Sequence, residues 1–357
     1  MRVDFRPMRR PCPEPEGDKR CQPLPRNALL MGDARDVLRQ LPTASVDTVI
    51  TSPPYFALRD YGQPGQLGQE ANVFAWALAL RQVLREVGRV VKPTGSLWLN
   101  LGDSYSRHPK YGAPPKSLLL APERLLLGLA ADGWTIRNKV VWAKSNPVPS
   151  SISDRLTPTH EYIYFLVRSP RYFFDLDAIR EPLKSTATPR TSQAPMTPRP
   201  HWAGPLAASR SGLGRLHTEG RTGHPDGKNP GDVWTLSTSR YRGAHFATFP
   251  PQLITRPLLA TTPEKVCPTC GLSWTRPRRP RPHSAKGPAT GELVAACSHR
   301  VTPVPGLVLD PFMGTGTVGA VAQKHRRDWL GIELNPDYAD LAAARLGVQA
   351  TRLARCA

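Results

Sequence analysis

One stretch of this 357-residue chain decides the fold, and it reads Gly306-Leu307-Val308-Leu309-Asp310-Pro311-Phe312-Met313-Gly314-Thr315-Gly316-Thr317. An apolar strand runs into a glycine turn, and a helix is expected from Thr317. The glycines permit a tight turn and close approach of the backbone to a ligand, while the helix N-terminus favours a carboxylate or a phosphate. A second strand, predicted from Trp329 to Ile332, ends at Glu333. In dinucleotide-binding folds, an acidic residue about 20 residues beyond such a turn accepts hydrogen bonds from the ribose hydroxyls. The strand, glycine turn, helix, strand and acid together therefore predict a nucleoside-type cofactor. The alternative is a glycine-rich turn with a solvated Glu333.

Hydrophobic periodicity predicts about seven strands that alternate mostly with helices. The remaining strands are expected at 27–31, 46–51, 96–101, 135–143 and 161–168, and the other helices at 34–41, 73–91, 117–131, 250–260 and 336–346. This alternation is typical of an α/β, doubly wound sheet with right-handed crossovers.

A second motif, Ser52-Pro53-Pro54-Tyr55, directly follows the apolar run 46–51. Chemistry on the exocyclic amino group of a flipped DNA base needs a flat aromatic face and fixed acceptors for the amino hydrogens. Ser52 Oγ and the Pro53 carbonyl can supply the acceptors, and Tyr55 the face. Turn prolines followed by tyrosine are common, so the tetrapeptide gains its weight from the rest of the chain.

Composition favours a nucleic-acid partner. The formal net charge is +20, and 39% of the residues are hydrophobic, which is enough for a sizeable core. Charge alone does not distinguish DNA from RNA. No apolar run reaches the roughly 18 residues that span a bilayer, so no membrane association is expected. Six cysteines without a visible secretory signal predict a reducing compartment.

Composition also divides the chain into segments. The predicted segments are a disordered basic arm at 1–26, two halves of one domain at 27–184 and 231–347, an irregular region at 185–230, a cysteine-bearing insertion at 266–301 and a tail at 348–357.

With both motifs in place, the chain resembles the amino-methylating DNA methyltransferases of bacteria and phages, which use S-adenosylmethionine. The tetrapeptide 52–55 looks like their catalytic motif, 310–316 like their cofactor loop, and Gly331-Ile332-Glu333-Leu334-Asn335-Pro336 like their ribose-acid segment. The catalytic motif precedes the cofactor loop, which is the order of the β group. Further similar stretches include Gly32-Asp33, 95–103 and Trp142-Ala143-Lys144. The resemblance covers about 27–184 and 231–347.

The resemblance implies a mostly parallel, seven-stranded and circularly permuted sheet. Strands 306–309 and 328–332 would be the first two of the family order, 28–31 the third and 46–51 the fourth. Strands one and four would then be neighbours at the topological switch point, where open α/β sheets bind ligands. The cofactor loop and the tetrapeptide would share one crevice.

The resemblance also implies roles for individual residues. The catalytic residues would be Ser52, Pro53, Pro54 and Tyr55; the cofactor-binding residues would be Asp33 (beside the adenine ring), Asp310, Phe312, Gly314, Thr315, Gly316, Thr317 and Glu333. The expected substrate is double-stranded DNA in a bacterial or phage context, with the protein in the cytoplasm at the nucleoid. Relatives of the β group often form homodimers, and a cognate restriction endonuclease is a further partner to test.

Ser52 favours cytosine N4 as the target, because serine at the first motif position is commoner among cytosine-N4 enzymes of the family and aspartate among adenine-N6 enzymes. Adenine-N6 methylation on the same fold remains the alternative. A non-catalytic DNA-binding protein is the alternative of another class, although both motifs are intact. A dehydrogenase would leave the tetrapeptide and the charge unexplained.

Two insertions remain. Residues 185–230 lie where this group places its target-recognition region, and they could equally be a linker. Cys267-Pro268-Thr269-Cys270-Gly271 forms a knuckle-like turn, and Cys297 with His299 could complete a Cys₃His site for structural zinc. The alternative is four reduced side chains with His299 on the surface.

Overall fold

The computed structural model describes residues 24–182, 227–238, 249–276 and 292–353. The sheet belongs to a unit made of Met1–Asp175, Gly231–Thr275 and Leu293–Ala357. A second unit comprises Leu176–Pro230 and Arg276–Glu292, and most of the predicted target-recognition region lies outside the described residues. In its described part, Glu181 pairs with Lys228 through two backbone hydrogen bonds of 3.0 and 2.8 Å.

The main unit contains nine strands and six α-helices among the described residues. The strands are β1 (Ala28–Met31), β2 (Val46–Thr51), β3 (Val91–Leu101), β4 (Thr135–Lys144), β5 (His160–Val167), β6 (Val233–Leu236), β7 (Leu307–Asp310), β8 (Asp328–Glu333) and β9 (Ala350–Thr351). The helices are α1 (Ala34–Gln40), α2 (Val73–Val90), α3 (Ala121–Ala131), α4 (Pro251–Thr261), α5 (Thr317–Lys324) and α6 (Pro336–Leu346).

One continuous sheet has the strand order β6-β4-β5-β3-β2-β7-β8-β1-β9. Every neighbouring pair is parallel except the two that involve β5, which runs antiparallel to β3 and to β4. The mostly parallel, permuted sheet predicted from the sequence is therefore confirmed. All seven predicted strands are present, and β6 and β9 add one short strand at each edge. Residues that were expected to lie in the tail thus form β9.

Two predicted element boundaries differ from the structure. Helix α2 ends at Val90 and β3 begins at once, so residues 92–95, which lie between the predicted helix and the predicted strand, are part of the strand. Helix α3 begins at Ala121 instead of 117, because Asp103 at the end of β3 accepts hydrogen bonds from the backbone N–H groups of Leu120 (2.9 Å) and Ala121 (3.1 Å). This side-chain cap comes from a distant strand, so local periodicity does not show it.

Helices cover both faces of the sheet. One buried apolar cluster joins the sheet to α1, α2 and α3, and the other joins it to α4, α5 and α6. This arrangement leaves the carboxyl ends of the strands as the edge where loops gather. Within the described residues, no helix combines the length and the apolar character that a membrane span requires.

The topological switch point lies between β2 and β7, which pair in parallel through Thr48 with Val308 and Val49 with Leu309. At their carboxyl ends, Thr51 Oγ1 donates a hydrogen bond of 2.6 Å to Asp310 Oδ1. The two predicted motifs therefore begin side by side, although they are far apart in sequence.

A buried ion pair supports the opposite end of these strands. Lys92 Nζ lies 2.6 Å from Asp47 Oδ1, and the other carboxylate oxygen of Asp47 accepts a 2.8 Å hydrogen bond from the N–H of Leu307. The Asp47 side chain is only 4% exposed. The pair thus joins the beginnings of β2, β3 and β7.

We expect Lys92→Met to lower the free energy of unfolding by about 3–5 kcal/mol, because it leaves the Asp47 carboxylate buried without its ionic partner. The measurement is urea unfolding at neutral pH. Lys116→Met is the matched control: Lys116 pairs with Asp154 at 2.7 Å, but its side chain is 84% exposed, so its loss should not be measurable. Equal effects of the two variants would contradict a structural role for Lys92.

Candidate cofactor and base site

One cavity of about 780 Å³ opens at the carboxyl ends of β2 and β7, within the range of roughly 300–1,000 Å³ that is usual for small-molecule sites. Both predicted motifs line it. The predicted site residues in its wall are Asp33, Ser52, Pro53, Pro54, Tyr55, Phe312, Gly314, Thr315, Thr317 and Glu333. Asp310 and Gly316 lie behind this wall and support it. The structure thus brings the two distant stretches into one crevice.

The glycine turn is held from behind by the neighbouring strand β8. The N–H of Gly314 donates to Glu333 Oε2 at 2.7 Å, and the N–H of Asn335 donates to Glu333 Oε1 at 2.8 Å. Burial raises the pKa of Glu333, while these backbone donors oppose that shift. One carboxylate therefore fixes the turn before α5 and the turn before α6.

Gly316 is required for two reasons. Its φ of 79° lies in the left-handed region, and an added Cβ would come within 2.9 Å of Leu346 Cδ1. A side chain at this position would strain the backbone and displace the Leu346 side chain of α6. The glycine therefore lets α5 begin close to the cavity wall.

Asp310 is fully buried beneath the cavity. Its Oδ1 accepts hydrogen bonds from Thr51 Oγ1 (2.6 Å) and from the N–H of Phe312 (3.0 Å). Burial raises the pKa of Asp310 to about 7, even though both hydrogen bonds favour the ionised form. A cationic group bound nearby would favour loss of this proton.

The base side of the cavity contains a chain of hydrogen bonds. Tyr55 Oη donates to Glu161 Oε2 at 2.8 Å, and it lies 3.3 Å from Ser52 Oγ. Since tyrosine has one hydroxyl proton and gives it to Glu161, Ser52 must be the donor in its contact with Tyr55. The remaining lone pairs of Ser52 Oγ are then available to accept a hydrogen bond from a ligand.

Two further contacts hold this chain in place. Lys144 Nζ lies 2.6 Å from Glu161 Oε1, and Asn100 Nδ2 donates to Glu161 Oε2 at 3.2 Å. Burial raises the pKa of Tyr55 well above its usual value, and the negative charge of Glu161 raises it further. Tyr55 therefore remains a proton donor throughout the physiological range.

Contacts from α2 and from the end of β3 fix the position of the Tyr55 ring. The buried indole of Trp76 donates from Nε1 to the Pro54 carbonyl at 3.0 Å. Behind the ring, a Cβ added at Gly102 would lie 2.8 Å from Tyr55 Cε2. The glycine at the end of β3 thus makes room for the tyrosine.

Comparison with known proteins agrees with this geometry. The profile of the DNA methylase family, N6_N4_Mtase, matches residues 46–344. The chain belongs to the DNA methylase family. It is 34% identical to the type II methyltransferase M.XycI of Xanthomonas campestris pv. cyanopsidis over 93% of this chain and 91% of that protein. It is also 34% identical to the type II methyltransferase M.Cfr9I of Citrobacter freundii over 95% of this chain and 94% of that protein.

Among solved structures, the PvuII DNA methyltransferase (cytosine-N4-specific) shares the fold of this DNA methylase. The TM-score is 0.54 at 18% identity, over 89% of this chain and 85% of that one. The family resemblance inferred from the motifs and their order is therefore confirmed.

Sequence reasoning did not assign several residues of the methylase cavity. Those in the wall are Tyr61, Asn100, Lys144, Glu161, Asn335 and Tyr338. Asn100, Lys144 and Asn335 lie in stretches that resemble the family, so their motifs could have indicated them. Glu161 stands at the start of a strand that otherwise reads as core, and no local pattern marks it. Tyr61 stacks edge-to-face on Tyr338 with ring centroids 6.2 Å apart, a contact between distant segments.

The four predicted metal ligands lie together elsewhere in the same unit. The ligand atoms of Cys267, Cys270, Cys297 and His299 all lie within 4.8 Å of one another, and none of these residues lines the cavity. Burial opposes ionisation of Cys267, but hydrogen bonds from the backbone of Cys270 and Thr269 lower its pKa to about 7.

The raised pKa of Asp310 makes the stability of the fold depend on pH. Between about pH 4 and pH 7 the folded chain holds a proton on Asp310 that the unfolded chain has released, so stability should fall as the pH rises through this window. We expect Asp310→Asn to remove a negative slope of about 1.4 kcal/mol per pH unit. Urea unfolding of both proteins at several pH values measures the difference.

Asp132→Asn provides a control of opposite sign. The Arg81 guanidinium lies 2.9 Å from Asp132 and lowers the pKa of its carboxyl group. The contact stabilises the fold fully at pH values above the pKa that Asp132 has in the unfolded chain. This stabilisation is lost as the pH falls through the lower pKa that Asp132 has in the folded chain. A wild-type slope that Asp310→Asn leaves unchanged would refute the assignment to Asp310.

Proposed function

We propose that this DNA methylase transfers a methyl group from S-adenosylmethionine to the N4 amino group of a cytosine flipped out of double-stranded DNA. The observation that carries the proposal is the hydrogen-bond chain from Ser52 through Tyr55 to Glu161, in the wall of the same cavity as the glycine turn. Donor and acceptor sites that share one cavity are what direct transfer between two bound molecules requires.

The cofactor half fits a nucleoside with a charged side chain. Thr315 Oγ1 is buried in the wall of the cavity and has no hydrogen-bond partner among the described residues, so a ligand there would satisfy it. Glu333 would receive the ribose hydroxyls, Asp33 would lie beside the adenine, and the turn 314–316 would let the backbone approach the ligand. When bound, S-adenosylmethionine supplies a methyl group that is already electrophilic on its sulfonium.

The part of the cavity around Ser52 and Tyr55 would orient the amino group of the target base. The amino group of cytosine is a poor nucleophile because its lone pair is conjugated with the ring. Ser52 Oγ would accept one amino hydrogen and the Pro53 carbonyl the other, which directs the lone pair of the nitrogen at the methyl group. Because Ser52 donates to Tyr55 and Tyr55 donates to Glu161, the carboxylate strengthens Ser52 as an acceptor. The same chain can receive the proton that the amino group releases after transfer.

The choice of cytosine rests on Ser52, since serine at this motif position is commoner among the cytosine-N4 enzymes of the family. The PvuII enzyme is cytosine-N4-specific by its name, and at 18% identity it supports only the fold. The type II names of M.XycI and M.Cfr9I support a place in a restriction–modification system. A homodimer, a cognate endonuclease and a location at the bacterial nucleoid remain predictions.

The target base is tested directly by incubating the purified chain with DNA and labelled S-adenosylmethionine, followed by nucleoside mass analysis. We expect the label in N4-methylcytosine. Label in N6-methyladenine would transfer the proposal to the other branch of the family, and label in neither would overturn it. Ser52→Ala serves as the matched control, because it retains the turn and removes the acceptor.

The hydrogen-bond chain is tested at Tyr55. We expect Tyr55→Ala to abolish methylation and to leave S-adenosylmethionine binding nearly intact, because both the stacking face and the hydroxyl are lost. Tyr55→Phe keeps the face and breaks the chain, so kcat should fall by about 10²-fold with little change in the KM for DNA. Single-turnover rates and cofactor titration separate the two effects. Loss of cofactor binding in either variant would contradict the assignment.

A further inference from the structure

A cluster of three cysteines and one histidine lies between α4 and β7, and the proposed transfer reaction does not use it. The residues are Cys267, Cys270, Cys297 and His299, and none of the three thiols is in a disulfide. Their ligand atoms all lie within 4.8 Å of one another. With bonds of about 2.3 Å to sulfur, a tetrahedral zinc ion places neighbouring ligand atoms about 3.8 Å apart. Only small side-chain movements separate the observed cluster from a complete coordination sphere.

An independent observation points to a ligand at the cluster. His299 Nδ1 is buried and has no hydrogen-bond partner among the described residues. A buried polar nitrogen without a partner is costly, and such atoms in native proteins call for an explanation such as a bound ion. A metal bound at this nitrogen would remove the cost.

The backbone presents the ligands from two converging segments. In the first, the N–H of Gly271 donates to the Cys267 carbonyl at 2.9 Å, and the N–H of Cys267 donates to the Leu272 carbonyl at 2.9 Å. This tight turn places Cys267 and Cys270 beside one another. The second segment returns through Val304, which exchanges backbone hydrogen bonds of 2.8 and 2.9 Å with Val266.

We propose that this DNA methylase holds one structural zinc ion through Cys267, Cys270, Cys297 and His299. Thiolate-rich tetrahedral sites favour zinc, and four protein ligands leave no open position for catalysis. Binding displaces the thiol protons, and no oxidation or reduction is involved.

The position of the knuckle 267–271 indicates what the ion stabilises. A Cβ added at Gly271 would lie 3.6 Å from Lys92 Cε, so the knuckle packs on the lysine whose ammonium pairs with the buried Asp47. Next to the cluster, the N–H of Gly306 donates to the Pro263 carbonyl at 3.0 Å, immediately before β7. The zinc ion would thus hold the knuckle 267–271 against the beginning of β3 and β7, at the end of the sheet opposite to the cavity.

The test is the metal content of the purified full-length chain, measured by mass spectrometry after removal of loosely bound metal. We expect about one zinc ion per chain in the wild type and in the control Cys356→Ser, and at least a tenfold loss in Cys267→Ser and Cys297→Ser. Equal zinc in the ligand and control variants would overturn the proposal, as would iron in place of zinc.

A second measurement does not depend on the variants folding. The wild-type chain is stripped with a chelator and titrated with Co²⁺, which reports tetrahedral thiolate ligation by its visible absorption. We expect saturation at one equivalent and displacement of the cobalt by Zn²⁺. A wild-type chain that is folded as purified, contains no zinc and gives no such absorption with Co²⁺ would overturn the proposal. Thermal unfolding should also show a lower Tm after chelation, restored by added Zn²⁺.

Discussion

The site of this methylase depends on the parallel pairing of β2 with β7, closed at its carboxyl end by the hydrogen bond from Thr51 to Asp310. This contact joins the strand before the proposed catalytic tetrapeptide 52–55 to the strand before the proposed cofactor turn 314–316. Because the carboxyl ends of parallel strands meet at one edge of the sheet, the two loops must open into one cavity. The hydrogen bonds and packing contacts of the site then position individual side chains within this cavity.

The acids around the cavity divide into two electrostatic environments. Asp310 and Glu333 are buried on the cofactor side, where burial raises the pKa of both. Among the described residues, neither acid has a lysine or arginine partner. A cationic ligand would therefore be stabilised on the cofactor side of the cavity. Glu161 instead lies 2.6 Å from Lys144 and directs its charge through Tyr55 toward Ser52. This division agrees with the proposed roles, in which the cationic cofactor lies beside the first pair and the neutral base lies beside Glu161.

The opposite end of the sheet is organised for stability. The Asp47–Lys92 pair joins the beginnings of three strands, and the knuckle 267–271 packs on its lysine. Arg26 adds a contact at the other side of the unit, where it pairs with Asp328 at the start of β8. Charged contacts thus support the amino ends of the strands, while the carboxyl ends remain available for ligands.

The sequence alone determined the elements that local patterns encode. These were the seven main strands, the glycine turn before α5, the tetrapeptide after β2 and the cysteine pairs. The order of the motifs also indicated the permuted sheet, because the family resemblance supplied the pairing of strands one and four. Such features depend on residues that are neighbours in the chain, so periodicity and spacing reveal them.

Only the tertiary structure decided what depends on contacts between distant segments. Glu161 enters the site because β5 runs antiparallel to β3, which brings the first residues of β5 to Tyr55. Helix α3 begins where Asp103 caps it. The knuckle cysteines meet Cys297 and His299 where the chain returns to pair Val304 with Val266. Side chains from separate elements make these contacts, and their energies depend on burial and distance in the folded chain, which no local pattern records.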